Sequence, residues 1–403
     1  MQSTIKEQMN TIRNEFRLST PKLLKISDAF LTDMQEKQML RMFNTFITPI
    51  KQVADGEYIT IDFGGSNIRM ALFQIQNQQA TILHISKIRL HSRFKDYTTA
   101  EYSLKDIFDM IAKHLSKIVN HKKEYKLVHT FSFAFVSSSK NNAVLPYFTK
   151  GIQLRLSPTQ DINALLKQAF ADAKLKITPV AIINDTTSTL VTGNFQNFLT
   201  DIALIAGTGH NSCFISATGE IVNVESGYFS KDLPLTQYDK QLLSTLSPEE
   251  SSQLFEILTA GKYMSKVAQQ ILKRFQMFHH VENISTSVLS MAVDGKLRIK
   301  YSREQKIMLR ELGTILLERS AALTAAEIFA IVRFIDPEFQ KKHNVVFDGS
   351  FYEKSDYFRK RLDHKLELLF KSNAVKITHE LIKDASSTGA ALIAAEVTDE
   401  KNR

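Results

Sequence analysis

Twice along this chain a β-rich run ends in a turn of small polar residues, and no other feature constrains the fold as much. Residues 58–63 run into Gly64-Gly65-Ser66, and residues 202–206 run into Gly207-Thr208-Gly209. Around the first turn, strands are expected over 58–63, 68–75 and 80–90. A helix over 103–119, a strand over 127–136, a helix over 162–173 and a strand over 180–183 follow, from apolar spacing near 3.6 or 2 residues. Around the second turn, strands are expected over 202–206, 212–216 and 220–224, then helices over most of 236–280 and over 303–334. A strand over 344–347, a helix over 355–371, a strand over 374–378 and a helix over 386–396 complete the pattern, and residues 1–53 read as helical. Strands alternating with helices in two similar halves indicate an α/β architecture.

The chain has 403 residues and is 43% hydrophobic, more than one ordinary core accommodates, so two domains are expected. The net charge is +9. The basic residues are scattered, with short runs at His121-Lys122-Lys123 and Arg359-Lys360-Arg361, and no aromatic-interleaved basic stripe or zinc-finger spacing occurs. The balance therefore suits a small polyanion better than nucleic acid. One cysteine, Cys213, forbids an intramolecular disulfide and suits a reducing compartment. Between Ser212 and Phe214 it reads as a small buried hydrophobe. The mixed polar N-terminus and the lack of an 18-residue apolar run predict no signal peptide and no membrane span, with a cytoplasmic location as the default.

Three stretches carry chemistry. In Asp62-Phe63-Gly64-Gly65-Ser66-Asn67-Ile68-Arg69, two glycines let backbone amides approach phosphate oxygens. Ser66 and Asn67 add donors, and Asp62 could hold Mg²⁺ through water. An ordinary Gly-Gly hairpin would also account for this stretch. Ala206-Gly207-Thr208-Gly209-His210-Asn211 is a second such turn, open to the same alternative. Phosphate-type turns in matching places of two halves predict an ATP cleft between them. In Ile182-Ile183-Asn184-Asp185-Thr186, a carboxylate follows a buried strand, where a base for phosphoryl transfer to a hydroxyl is needed. Asn184 or Asp185 could equally cap a helix.

Taken in order, these stretches resemble the hexokinase family of eukaryotic type, from about residue 25 to the C-terminus. Further segments carry the resemblance: Phe131-Ser132-Phe133 with Phe148-Thr149-Lys150-Gly151, Asn223-Val224-Glu225-Ser226-Gly227, Gln253-Leu254-Phe255-Glu256 through Ala260-Gly261-Lys262-Tyr263, Phe347-Asp348-Gly349-Ser350, and Asp384-Ala385-Ser386-Ser387-Thr388-Gly389. The resemblance implies an actin-like (ribonuclease H-like) two-domain ATPase fold with a cleft between its lobes. The small lobe would hold 55–187 and 386–403, the large lobe 1–54 and 188–385.

It also implies ATP and Mg²⁺ as cofactors and a hexose, glucose first, as substrate, handled by a monomer or homodimer. Sugar contacts would come from Ser132, Thr149, Lys150, Asn184, Asp185, Asn211, Glu225, Gln253 and Glu256, with Asp185 as base and Lys150 offsetting charge. Nucleotide contacts would come from Asp62, Gly64, Gly65, Ser66, Asn67, Arg69, Gly207, Thr208, Gly209, Gly261, Lys262, Gly349 and Ser350. Mg²⁺ would ride on the phosphates, with Asp62 and Asp185 reaching it through water. The sequence departs from the family pattern at several places. Ser66 replaces Thr and Ala134 stands for Pro. His210 occupies a position usually small or polar. Ser226 replaces a bulky Trp, which would leave room beside the sugar. Ala385 and Ser387 replace glycines at a hinge-like turn. The loops near 138–147 and 216–240 are short.

Overall fold

The computed structural model describes residues 2–92, 95–148, 151–279, 281, 284–297 and 301–397. The chain divides into two compact units. One comprises residues 1–42, 204–212 and 224–381, the other residues 43–203, 213–223 and 382–403.

In the second of these, five strands form a sheet in the order Gln79–Arg89, Asn67–Gln76, Gly56–Phe63, Tyr125–Phe131, Ile177–Ile183. The first three are antiparallel neighbours, while the last three run parallel. Parallel strands place their carboxyl ends together, so Asp62, Ser132 and Asp185 are delivered to one edge. The strand expected over 127–136 stops at Phe131 for a visible reason. The Ser132 N–H donates to the Phe63 carbonyl at 3.1 Å, and the Phe133 carbonyl accepts from the Asn184 side chain at 3.1 Å. The chain thus leaves the ladder where the site begins.

Two helices, Leu104–Leu115 and Ile162–Asp172, complete one hydrophobic core with Ile59, Ile61, Phe63 and Phe131 of the sheet. Ser103 and Asp106 form a reciprocal capping box at the first helix, and Asp161 caps the second, satisfying amides that lack helical partners. Helix Ala385–Ala394 packs on strands Gly56–Phe63 and Tyr125–Phe131 and on helix Asp185–Gln196. A Cβ on Gly389 would lie 1.9 Å from the Ser188 carbonyl oxygen. The Thr192 hydroxyl donates to the Ala385 carbonyl at 2.7 Å, so small residues and side-chain-to-backbone bonds join the two helices.

In the other unit, the organising element is helix Arg303–Ile335, in which every residue from Arg319 to Val332 is buried. A helix buried all round belongs at the centre of a core. Helices Thr20–Glu36, Leu254–Thr259, Thr286–Val293 and Asp356–Phe370 pack around it. Its buried charges are paired: Arg319 with Asp239 at 2.7 Å and Glu327 with His210 at 2.6 Å. Strand His343–Asp348 pairs in parallel with Ile377–Leu381. The sequence placed this last strand at 374–378. Lys371 instead turns the chain at φ 51° into the 3₁₀ segment Lys371–Lys376, displacing the strand toward the C-terminus. The helical stretch 236–280 is four α-helices, Gln237–Leu243, Pro248–Ser251, Leu254–Thr259 and Gly261–Leu272. The breaks before Leu254 and at Ala260 adjoin Gln253 and Gly261, which the sequence assigned to sugar and nucleotide. Among the described residues no helix is long and apolar enough to cross a membrane.

Two consequences are measurable. Gly389→Ala should lower stability by about 3 kcal/mol through overpacking against Ser188, read from denaturant midpoints. His129 is fully buried among Phe63, Phe108 and Phe131, and burial depresses its pKa to about 3. The unfolded chain takes a proton on this residue below pH ~6.5 while the native state does not. Native stability therefore falls as pH drops from ~6.5 toward 3. His129→Leu should show a shallower loss between pH 7 and 5; an unchanged slope would refute this role for His129.

Candidate functional site

Asp185 opens helix Asp185–Gln196 directly after strand Ile177–Ile183. Its Oδ2 accepts from the Ser132 hydroxyl at 3.0 Å, and its Oδ1 from the Thr186 N–H at 2.9 Å. Two donors and a helix N-terminus thus hold a half-buried carboxylate in one orientation. Asn184 is the N-cap by position but makes no side-chain cap bond. Instead its amide donates to the Phe133 carbonyl, and its Oδ1 accepts from Asn223 at 3.0 Å. Asn223 also accepts from the Thr186 hydroxyl at 3.3 Å. The fully buried Asn223 thus braces Asn184 and Thr186, a role its motif in the sequence did not reveal. Its signal was an amide following an apolar strand. Cys213 is fully buried, and burial pushes its thiol pKa up, so it is no nucleophile.

The first glycine turn is a tight reversal. The Gly64 N–H donates to the Asn67 carbonyl at 3.1 Å, and the Ser66 carbonyl accepts from Leu90 N–H at 3.1 Å. Ser66 is exposed, while Gly64, Gly65 and Asn67 are half-buried. Asp62 lies opposite Arg69 on one side and Thr130 on the other. The Arg69 guanidinium reaches Asp384 at 2.7 Å, tying the turn to the N-cap of helix Ala385–Ala394. The sequence did not single out Asp384 as that partner.

In the other unit, three backbone segments converge on the second glycine turn. A Cβ on Gly261 would sit 2.9 Å from the Gly207 carbonyl oxygen, and one on Gly349, at φ 116°, would sit 2.6 Å from that of Ala206. The Gly261 and Lys262 N–H groups donate to the carbonyls of Gly207 and Thr208 at 3.0 and 3.1 Å. Thr208 remains exposed at the tip, and Ser350 follows Gly349 at the start of helix Ser350–Lys354. The Lys262 ammonium is 2.6 Å from Glu250. Burial raises the Glu250 pKa, but Lys262, Lys266 and the Tyr263 hydroxyl together outweigh it and hold the carboxyl below its ordinary value.

Close by, four predicted sugar ligands are assembled. Asn211 Oδ1 accepts from the N–H groups of Ser212 and Ser226 at 2.8 and 3.3 Å. Glu256 Oε2 accepts from the His210 N–H at 3.2 Å. Cβ atoms on Gly209 and Gly227 would each come within 3.3 Å of Glu256, and one on Gly227 within 3.8 Å of Gln253. Glu225 is buried and holds a left-handed backbone, φ 55° and ψ 49°, a conformation that costs energy and clusters at functional positions. Ser226 is fully buried, with no exposed hydroxyl. The room expected beside the sugar is therefore not open at this side chain. Thr149 and Lys150 lie outside the described residues.

The residues suit the implied cofactors. Glycine approaches that exclude a Cβ, with Thr208 exposed above them, make a surface a phosphate chain can reach. Among the described residues no group of three His, Cys, Asp or Glu could hold a metal. Single carboxylates such as Asp62 and Asp185 would suit an Mg²⁺ that keeps its water and phosphate ligands.

Two family models, each described as hexokinase, match residues 8–195 and 201–396. Hexokinase-2 of Solanum tuberosum is 26% identical, over 94% of this chain and 89% of that protein. Hexokinase-1 of Schizosaccharomyces pombe is 25% identical, over 98% and 92%. The structure of hexokinase from Schistosoma mansoni complexed with glucose superposes with a TM-score of 0.84 at 22% identity, over 98% of this chain and 100% of that one. The fold is the actin-like ATPase fold of the sugar kinases.

The buried His210–Glu327 pair anchors the second glycine turn to the central helix. Glu327→Ala leaves the imidazole unpaired and should cost about 3 kcal/mol, whereas His210→Phe/Glu327→Leu should recover most of that loss. Urea titration of the three proteins checks it; a double variant as unstable as the single one would show that the pairing carries no such weight.

Proposed function

The chain belongs to the hexokinase family and is an ATP-dependent kinase of a hexose, and we propose that its hexose is glucose, phosphorylated on the 6-hydroxyl. The observation that carries the mechanism is the fixed carboxylate of Asp185, held by Ser132 and Thr186. Asp185 takes the proton from the 6-hydroxyl as that oxygen bonds to the γ-phosphorus. The bond from the γ-phosphorus to the β–γ bridging oxygen breaks, and ADP leaves. A base held in one orientation favours near-attack geometry.

Asn211, Glu225, Gln253 and Glu256 bind the sugar. Carboxylates and amides take hydrogen bonds from adjacent hydroxyls, and an epimer that leaves one unpaired is penalised. Asn184 turns its amide nitrogen to the backbone, so it serves the sugar with its remaining Oδ1 lone pair and serves Asp185 by fixing the segment before it. Ser132 and Thr149 add hydroxyls, and Lys150 offsets developing charge. The turns at Gly64-Gly65-Ser66-Asn67 and Gly207-Thr208-Gly209 receive the phosphates, with Arg69 shared between phosphate and Asp384. Gly261, Lys262, Gly349 and Ser350 receive the adenosine end. Asp62 and Asp185 would hold, through water, a Mg²⁺ that would neutralise phosphate charge. We assign the small lobe to the unit containing Asp62 and Asp185 and the large lobe to the unit containing Asn211 and Glu256. We place the enzyme in glycolysis in the cytoplasm, as a monomer or homodimer, in keeping with its single buried thiol.

ADP release with Mg-ATP should depend on added sugar, and glucose should give the highest kcat/KM in a panel with mannose, fructose and N-acetylglucosamine. Asp185→Asn should lower kcat by about 10³-fold or more while glucose affinity changes only a few-fold. Near-normal turnover in that variant would remove Asp185 as the base.

A further inference from the structure

Residues 13–18, at the end of helix Gln2–Phe16, meet helices Arg303–Ile335 and Asp356–Phe370 around a cavity of about 190 Å³. The residues assigned to sugar or nucleotide do not line it. Its charged lining is Arg13, Arg17, Glu318, Arg319 and Lys365. Around it the ion pairs are unequal in number. Arg13 pairs with Glu311, Arg319 with Asp239 at 2.7 Å, and both Arg361 and Lys365 share Glu318, at 2.5 and 3.4 Å. Arg17 has no carboxylate partner among the described residues. The lining itself carries four cations, Arg13, Arg17, Arg319 and Lys365, against one carboxylate, Glu318, while Glu311 and Asp239 reach Arg13 and Arg319 from outside it.

Burial sharpens the imbalance. Arg319 is 3% exposed, and its Nε–H is buried without an acceptor. Buried guanidinium donors left unmatched cost energy that an incoming acceptor recovers. Asp239 Oδ1 is also buried without a partner, but Asp239 does not line the cavity. Asn14 and Thr314 add neutral polar groups to the wall, while Phe16 and Ile315 close it with apolar surface.

We infer that this cavity is an anion site for a small phosphate-bearing molecule, distinct from the residues that handle ATP and sugar. A phosphate monoester carries about −1.5 to −2 charges near neutral pH, which a lining of four cations and one carboxylate attracts. Its oxygens suit guanidinium forks, which bind phosphate in bidentate fashion. The cavity is too small for a macromolecule, and its walls offer cations where a metal would need carboxylates.

The test is calorimetric titration of the full-length protein with inorganic phosphate, with a non-hydrolysable ATP analogue saturating the nucleotide site. One phosphate site per chain is expected. Arg17→Glu should weaken it about tenfold or more and leave sugar-dependent turnover without phosphate unchanged, because Arg17 is exposed and outside the proposed reaction site. Arg17→Gln should give an intermediate loss and serves should the charge reversal perturb folding. Glycerol phosphate binding more tightly than inorganic phosphate would identify an organic monoester as the occupant; the reverse order would point to the free ion. The inference fails if no phosphate binds once the nucleotide site is filled, or if Arg17→Glu binds as well as the parent. Equal binding of succinate would overturn the choice of phosphate. None of these outcomes depends on the sugar-kinase assignment, which the turnover assay tests separately.

Discussion

One unit is built around a backbone contact that leaves no room for side chains. Gly207, Gly261 and Gly349 come from three distant stretches of chain, and a Cβ at Gly261 or Gly349 would run into a carbonyl oxygen. Glycine is required there for steric reasons, and at Gly349 also for its backbone angle. The contact has consequences for its neighbours. The Gly261 N–H reaches the Gly207 carbonyl, so the helix Gly261–Leu272 must begin where it does. That break separates it from Leu254–Thr259, which carries Glu256, and Gly209 and Gly227 then admit the Glu256 side chain between them. The nucleotide-type turn and the sugar-type carboxylate are therefore positioned by one set of close approaches.

The second unit solves a related problem with strand ends. Three parallel strands carry Asp62, Ser132 and Asp185 to a common edge, and the backbone groups freed there are reused rather than left unpaired. The Phe63 carbonyl takes the Ser132 N–H, and the Phe133 carbonyl takes Asn184. Asn223 closes the network by donating to Asn184 and accepting from Thr186. A buried amide network of this kind specifies geometry as long as its members are satisfied, and Asp185 emerges from it already oriented.

Much of this was legible in the chain. Apolar periodicity marked most strands and helices because alternation and 3.6-residue spacing report directly on burial. The two glycine turns and Asn184-Asp185 stood out because the turns recur in matching places of two halves and the carboxylate follows a buried apolar strand. Other features were illegible because they depend on contacts between distant residues. Nothing local at Glu327 signals that His210 lies beside it, and nothing at Asp384 signals Arg69. The strand expected to run to residue 136 broke at Phe131 because Asn184 and Phe63 compete for its backbone. Periodicity cannot register such competition.

The same hydrogen bonds narrow what each polar residue is free to do. Asn184, read from the sequence as a sugar ligand, turns its amide nitrogen to the backbone, donating to the Phe133 carbonyl, so its larger contribution is to hold the segment that precedes Asp185. Arg69, read as a phosphate ligand, is engaged with Asp384, and a phosphate arriving at the first turn competes with a carboxylate rather than meeting a bare cation. Lys262 is in the same position with Glu250. Cations held by weak, partly exposed partners bring less desolvation cost than buried ones. They can exchange one anion for another with little net change in free energy, as the nucleotide roles proposed for them would require.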